Sequence, residues 1–328
     1  MTSVSAVIAG TGMSVPERVL TNSDLEKLVD TTDDWITTRT GIRERRIAEA
    51  DEPLSKYAIQ ASRRALEAAG VGADEIELII LATVTPDMLI PATACTVQHE
   101  LGCKHAVAFD LAAGCSGFIY AQSVAKQFVM SGRSKHALVI GAELLSKYVD
   151  WSDRATCILF ADGAGAVVLS AGEPPRGVLS SEMHSDGSMV DFISMPGGGS
   201  LHPPNQKMID ERLGFIRMKG NETFKMAVRS IEEVCREVLK EANLTTDDVD
   251  WFVPHQANLR IISAVGNRLG LPAERCFVNI ERYGNTSAAS IPIALDEAAR
   301  SGKIKSGDIV LMAAFGAGLT WAGSVVRW

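Results

Sequence analysis

Apolar residues along the chain fall into two kinds of run. Some recur every three to four positions: Ala58, Ala61, Ala65 and Ala69 predict a helix over Lys56 to Ala69 that stops at Gly70. Others are unbroken, and Ile76 to Val84 reads as a strand buried on both faces. The same reading predicts a first strand over Ser3 to Ala9, a turn at Gly10-Thr11-Gly12-Met13-Ser14 and a helix cap at Thr21-Asn22-Ser23-Asp24-Leu25. Ala106 to Leu111 is a strand that runs into Ala113-Gly114-Cys115-Ser116-Gly117, and an alanine-rich helix follows. Ala137 to Gly141 is another strand. Within Cys157 to Ser170, the stretch Asp162-Gly163-Ala164-Gly165-Ala166 reads as backbone packed closely between strands.

From about Pro174 the pattern repeats. Phe224, Val228, Ile231, Cys235, Val238 and Ala242 mark a helix, and Asp247 to Val253 mirrors Asp74 to Ile80. Ser301-Gly302-Lys303 mirrors Ser131-Gly132-Arg133, and a predicted strand at Phe277 to Ile280 mirrors the one before Cys115. The offset stays close to 170 residues. Helices alternating with strands in a duplicated unit imply two similar α/β halves with mixed sheets, residues 1–172 and 173–328. Ser185 to Gly214, rich in Gly and Pro, is either a surface excursion or a flap at a pocket entrance.

Composition narrows the function classes. A 328-residue chain that is 46% hydrophobic buries a sizeable core, and a net charge of -8 with a pI near 5.4 lacks the basic field of a nucleic-acid binder. The six cysteines form no CxxC pair and no framework spacing, so reduced thiols and no metal or cofactor are expected. Met1 to Val7 has no secretory pattern and no apolar run reaches membrane-spanning length, which leads to the expectation of a cytoplasmic protein that engages no membrane. Gly10-Thr11-Gly12 lacks a third glycine, and Val15-Pro16 interrupts it, so it is not a phosphate-binding loop. The segment from Thr31 to Arg46 mixes Trp35 with several arginines. It is either a solvated charged face or a place where a purine stacks and phosphates are held.

Cys115 is predicted on a tight turn opening a helix, where free amides and the helix dipole lower a thiol pKa and stabilise an oxyanion. Alone it is read equally well as a small buried cysteine. The repeat adds partners. The strand Trp251 to Val253 ends in Pro254-His255-Gln256-Ala257-Asn258, and the turn Gly284-Asn285-Thr286-Ser287-Ala288 stands in the second half where Cys115 stands in the first. Ligand groups gather beyond the carboxyl ends of strands in open α/β folds, so Cys115, His255 and Asn285 are expected to converge. A thiol, an imidazole and an amide together describe covalent acyl chemistry with a stabilised oxyanion or enolate.

These motifs, with Trp35-Ile36-Thr37-Thr38-Arg39-Thr40-Gly41-Ile42, Asp150-Trp151-Ser152-Asp153-Arg154 and Ala314-Phe315-Gly316-Ala317-Gly318, resemble the 3-ketoacyl-ACP synthase III family over essentially the whole chain. The resemblance implies an α/β thiolase-like fold in α-β-α-β-α layers. It also implies a two-step acyl transfer that starts fatty acid synthesis. Cys115 takes an acyl group from acyl-CoA; malonyl-ACP then loses CO2, and its carbanion attacks that acyl group to give 3-ketoacyl-ACP. His255 and Asn285 would hydrogen-bond the malonyl thioester oxygen, and the amides of Cys115 and of the turn holding Ala317 would form an oxyanion hole.

By the same resemblance Trp35 and Arg154 sandwich the CoA adenine, and Thr31, Arg39 and Asn221 line the nucleotide and pantetheine path. Phe315 and Leu89-Ile90-Pro91 border the acyl channel, the latter from the partner subunit of a homodimer. Ile90 stands where some relatives carry an aromatic, a smaller gate that would admit longer or more branched primers. Lys225, Arg229, Ala257 and Arg260 are expected to meet the acidic acyl carrier protein. Two alternatives keep the fold: a starter-unit or acyl-transfer enzyme of secondary metabolism, and a non-catalytic scaffold subunit, against which the intact triad speaks. A papain-like hydrolase also uses Cys, His and Asn, but it leaves the duplication unexplained.

Overall fold

The computed structural model describes residues 4–328, so Ser3 lies outside the described residues. Strands β1 (Ser5–Ser14), β2 (Leu78–Ala82), β3 (Val107–Leu111), β4 (His136–Leu144) and β5 (Asp162–Gly172) form one sheet in the order β1-β5-β4-β2-β3. Strands β6 (Gly177–Ser185), β7 (Trp251–Pro254), β8 (Ile309–Gly316) and β9 (Thr320–Arg327) form a second, ordered β6-β9-β8-β7. Both are mixed: β2 runs parallel to β3 and β4, β7 runs parallel to β8, and the other pairs are antiparallel.

Unbroken apolar runs become strands covered on both faces. In β2, Leu78, Ile80 and Ala82 face a central core while Ile79 and Leu81 face an outer one; β4 divides in the same way. Helices α4 (Gly117–Met130) and α7 (Ser290–Arg300) fill the central layer between the sheets, through Phe118, Ala121, Ala125, Ile291, Ala294 and Leu295. Helices α2 (Leu54–Ala69) and α3 (Thr93–Leu101) cover the first sheet outside, and α5 (Gly220–Glu241) and α6 (Leu259–Leu269) cover the second. The result is the layered α-β-α-β-α order.

The internal repeat is present in three dimensions. Short 3-10 turns at Ala73–Glu75 and Thr246–Asp248 precede β2 and β7; turns at Gly114–Ser116 and Ser287–Ala289 open α4 and α7; β4 begins at His136 and β8 at Ile309. Each pair is 173 residues apart. The offset shortens to 170 at Ser131 and Ser301, the helix C-caps, because α7 has 11 residues where α4 has 14.

Three expectations are corrected. No turn follows Ala9, since β1 continues to Ser14 with one irregularity in register between Ile8 and Gly10. Gly10 and Gly12 instead let β1 lie on α2: a Cβ on Gly10 would come 2.4 Å from Ala69 N, and one on Gly12 2.3 Å from Ala61 O. The strand at Phe277 to Ile280 reduces to a single bridge, Phe252 to Cys276. The buried Gln256 side chain takes its place, donating to Phe277 O and accepting from Asn279 N. Finally, Arg45 is no surface charge. It is fully buried and donates to Asn22 Oδ1 and Ile158 O, and burial pulls its pKa down to about 10.

The helix cap at Thr21 is formed, with Thr21 and Asp24 bonding reciprocally. Asp162-Gly163-Ala164-Gly165-Ala166 is close-packed backbone, as a Cβ on Gly165 would meet Ile293 N of α7 at 2.7 Å. No described helix is long and apolar enough to cross a membrane.

Candidate active site

Cys115 sits in the Gly114–Ser116 turn between β3 and α4. Gly114 has φ +53°, a conformation that disfavours a side chain, and a Cβ there would come 2.9 Å from Ala317 N. From the other side, a Cβ on Gly316 would lie 2.5 Å from Cys115 N. Two glycines thus bring the Cys115 amide and the turn after β8 into direct contact. Burial pushes the Cys115 thiol up to about 11; the nearby Ser287 hydroxyl pulls it down, and the Glu143 carboxylate pushes it further up. Burial thus opposes the lowering expected at the helix N-terminus.

His255 ends β7, 3% exposed, and burial alone holds its pKa near 3 and the ring neutral. Its Nδ1 lies 2.6 Å from Ser290 Oγ, while Nε2 is buried without a protein partner. Ser290 Oγ already accepts the Gln256 N–H, so its own proton is available to Nδ1, and the neutral ring then carries its proton on Nε2. Asn285 is held by backbone bonds to Leu159 and Ala161, and its Oδ1 accepts the N–H of Ser287. Its amide nitrogen is left as the free end.

Cys115, His255 and Asn285 converge as expected. They line one cavity of about 110 Å³ with Phe224, Ala257 and Phe315. Cys115 also borders a second, largely apolar cavity of about 470 Å³, with Val84, Leu145, Tyr148, Ile216, Ser287 and Ala317 among its walls. Cys115, Phe160 and Ile193 belong to both. The sulfur thus stands at a junction between a cavity with hydrogen-bond donors and an apolar one. Val190, Ile193, Ser194 and Met195, from the Gly- and Pro-rich excursion, wall the larger cavity, so that segment does shape the pocket. Phe315 lines the smaller cavity and is not among the walls of the larger.

The nucleotide-side residues form a separate cluster around helix α1 (Asp33–Thr40). Thr32 caps α1 by accepting from Trp35 N, and the Asn258 amide at the start of α6 donates to Arg39 O, tying α1 to the rim of the smaller cavity. The guanidinium groups of Arg39 and Arg154 lie 4.5 and 4.7 Å from the Trp35 ring centroid. At that spacing Arg154 is in contact with the ring, so a base enters only after Arg154 swings away from its bond to Asp30 O. Thr31 Oγ1 is buried and unpartnered; Asn221 is exposed in the first turn of α5, beside cavity-lining Gly220 and Thr223.

Lys225 and Arg260 are exposed, with Arg260 5.5 Å from the Phe224 ring; Arg229 is paired with Glu233. Ile90 is 85% exposed and touches neither cavity of its own chain. Sequence reasoning missed Ser290, Ser287 and Glu143. Ser287 lay inside a motif without a role, and the signal for Glu143 was a lone carboxylate in the apolar run through β4.

The comparisons with known proteins agree along the whole chain. A model described as 3-Oxoacyl-[acyl-carrier-protein (ACP)] synthase III matches residues 109–187, and one for the C terminal part of that family matches residues 239–328. Beta-ketoacyl-[acyl-carrier-protein] synthase III of Caldanaerobacter subterraneus is 52% identical over 325 residues, covering 99% of this chain and 98% of that protein. The protein of the same name from Aquifex aeolicus is 53% identical over 321 residues, covering 98% and 99%. The crystal structure of 3-oxoacyl-[acyl-carrier-protein] synthase III from Aquifex aeolicus superposes with a TM-score of 0.91 at 52% identity, covering 98% of this chain and 100% of that one. The priming beta-ketosynthase of the R1128 polyketide pathway superposes with 0.93 at 39% identity, covering 99% and 96%. With the layered fold, the duplicated halves and more than half of all positions shared with such relatives, the chain belongs to the 3-oxoacyl-[acyl-carrier-protein] synthase III family of thiolase-like condensing acyltransferases.

Proposed function

We propose that Cys115 accepts an acyl group from acyl-CoA and that malonyl-ACP then condenses with it, losing CO2, to give 3-ketoacyl-ACP. The observation that carries this reading is the unpartnered His255 Nε2, beside the free Asn285 amide, in the cavity that ends at Cys115. The thioester oxygen of malonyl-ACP becomes an enolate as CO2 leaves. Two neutral donors already in place bind that growing charge more strongly than they bind the ground state. Leu159, Phe160, Phe224 and Phe315 line the same cavity. Those apolar walls disfavour the malonyl carboxylate and not the CO2 it becomes. For the acyl-transfer step, the Cys115 amide and the backbone of Gly316-Ala317-Gly318 are close enough to serve one oxyanion.

The larger cavity receives the acyl chain, and its size supports primers longer or more branched than acetyl. Trp35, Arg39, Arg154, Thr31 and Asn221 hold CoA, and Lys225 and Arg260, at the mouth of the smaller cavity with Ala257 in its wall, meet the acyl carrier protein. The chain works as a homodimer. Strand β3 is a sheet edge with Val107 62% exposed, and Met88, Leu89 and Ile90 stand out from the loop after β2 at 51, 79 and 85% exposure. Such a surface is left for a second copy.

Intact-protein mass after brief exposure to acetyl-CoA and isobutyryl-CoA tests the reading. A gain of one acyl group, absent in Cys115→Ala, is expected; His255→Ala and Asn285→Ala should acylate normally yet lose decarboxylation of malonyl-ACP by about 10²-fold or more. No adduct with either donor, or loss of acylation with normal decarboxylation in His255→Ala, overturns it.

A further inference from the structure

The larger of the two cavities that meet at Cys115 adjoins a third space. This is a polar cleft of about 250 Å³, with Asp51, Glu52, Asp87 and Lys147 among its walls. Cavity and cleft share two wall residues, Thr85 and Tyr148. Each therefore has the cavity that borders Cys115 on one side and the cleft on the other.

The two parts of this partition are held very differently. Thr85, just beyond β2, is 3% exposed and fixed by three bonds. Its hydroxyl donates to Glu143 Oε2 at 2.6 Å and accepts from Leu144 N at 2.9 Å, and its N–H donates to Thr83 Oγ1 at 3.0 Å. The buried Glu143 carboxylate also accepts from Thr83 Oγ1 at 3.2 Å and Val84 N at 3.1 Å, so it pins the whole exit of β2. Tyr148 ends the short 3-10 turn Leu145–Tyr148 after β4. Its carbonyl accepts from Ile216 N at 2.9 Å, but its half-buried phenol makes no hydrogen bond among the described residues. Displacing Thr85 breaks three bonds, whereas turning the Tyr148 ring breaks none.

The cleft behind the partition is itself a built feature. Lys147 Nζ donates to Ala50 O at 3.1 Å and Glu52 O at 2.6 Å. Asp87 accepts from Ser55 N of α2 at 3.2 Å, and its own N–H donates to Thr93 Oγ1 of α3 at 2.9 Å. Cavity and cleft offer an alkyl chain opposite surroundings. Val84, Leu145, Phe160, Ile193 and Ile216 wall the cavity, so every methylene that enters leaves water for an apolar contact. The cleft presents three carboxylates and an ammonium, and offers no such gain. A chain is drawn in as far as the partition and no farther.

We propose that Tyr148 sets the upper chain length of the primer, its ring closing the acyl cavity against the cleft while Thr85 forms the fixed part of the same wall. A straight-chain acyl group that fills the cavity up to the ring acylates Cys115 fastest. A longer one has to push the ring aside and place its end in the polar cleft.

This inference rests on the reading of Cys115 as the acylated residue and of the larger cavity as its acyl site, and the experiment separates the two. The rate of acylation by straight-chain acyl-CoAs, from acetyl- to decanoyl-CoA, is measured by rapid quench and intact mass for wild type, Tyr148→Ala, Tyr148→Leu and Tyr148→Phe. The wild-type rate is expected to rise with chain length to a maximum, then to fall by about 10²-fold for chains too long for the cavity. Tyr148→Ala opens the partition and should move the maximum to a longer primer. Tyr148→Leu should move it less, and carries the test where Tyr148→Ala fails to fold. Tyr148→Phe should keep the wild-type maximum, since the hydroxyl has no bond to lose. The wall is overturned by a maximum that stays in place in both Tyr148→Ala and Tyr148→Leu, or by a loss of one factor for every primer, as a structural role requires. A shifted maximum in Tyr148→Phe, or a wild type that takes every length equally, also overturns it. A wild type acylated by no donor removes the reading beneath it; an acylated wild type whose length profile the variants share removes the role of Tyr148 alone.

Discussion

At the scale of single residues, function here depends on what each polar group is denied as much as on what it touches. His255 Nε2 and the Asn285 amide nitrogen are donors without acceptors because their other ends are already satisfied, by Ser290 and by the Ser287 N–H. Ser290→Ala is therefore expected to slow decarboxylation of malonyl-ACP about fivefold, the worth of one hydrogen bond of roughly 1 kcal/mol, while leaving acylation of Cys115 intact. Equal loss in both steps, measured separately, would show that Ser290 supports the fold and not the imidazole. Cys115 and His255 were legible in the sequence because each follows a strand of clear pattern. Ser290 was not, because a serine in a helix acquires meaning only from a contact 35 residues away.

At the scale of elements, glycine and alanine set the distances between layers. Gly10 and Gly12 of β1 rest on the backbone of α2, and Gly141 rests on the turn that carries Ser287. Gly12→Ala should destabilise the protein by about 3 kcal/mol, since its Cβ has backbone and not a flexible side chain to displace. Thermal melts would register this as a lower Tm, and an unchanged Tm would mean that β1 can shift off α2. The misread turn at Gly10 has the same origin. A glycine pair between apolar residues signals a turn when read along the chain, and only the packed helix shows that it is a contact. The lost strand at Phe277 is similar, because the Gln256 side chain supplies bonds that a ladder would otherwise make.

At the scale of the whole molecule, the duplication places two 3-10 turns face to face between the sheets, one bearing Cys115 and the other following Asn285. The halves differ where the functions differ: the first keeps an exposed edge strand, β3, and the second covers the corresponding position with the segment after Cys276. Val107, exposed on the edge strand β3, gives the test: Val107→Lys should turn the proposed dimer into a monomer at micromolar concentration, as sedimentation would show, and should alter primer choice where the proposed dimer sets Ile90 against the partner's acyl cavity. A dimer unaffected by that charge would move the interface elsewhere.

The sequence by itself determined most of the elements, the repeat and the turns that carry Cys115 and His255, because hydrophobic period and local turn chemistry are written in neighbouring positions, and its resemblance to a known family supplied the layer order. Only the tertiary structure decided that His255 is a neutral donor and that Phe315 faces the smaller cavity. Those properties arise from burial and from hydrogen bonds between distant segments, and neither exists until the layers have packed.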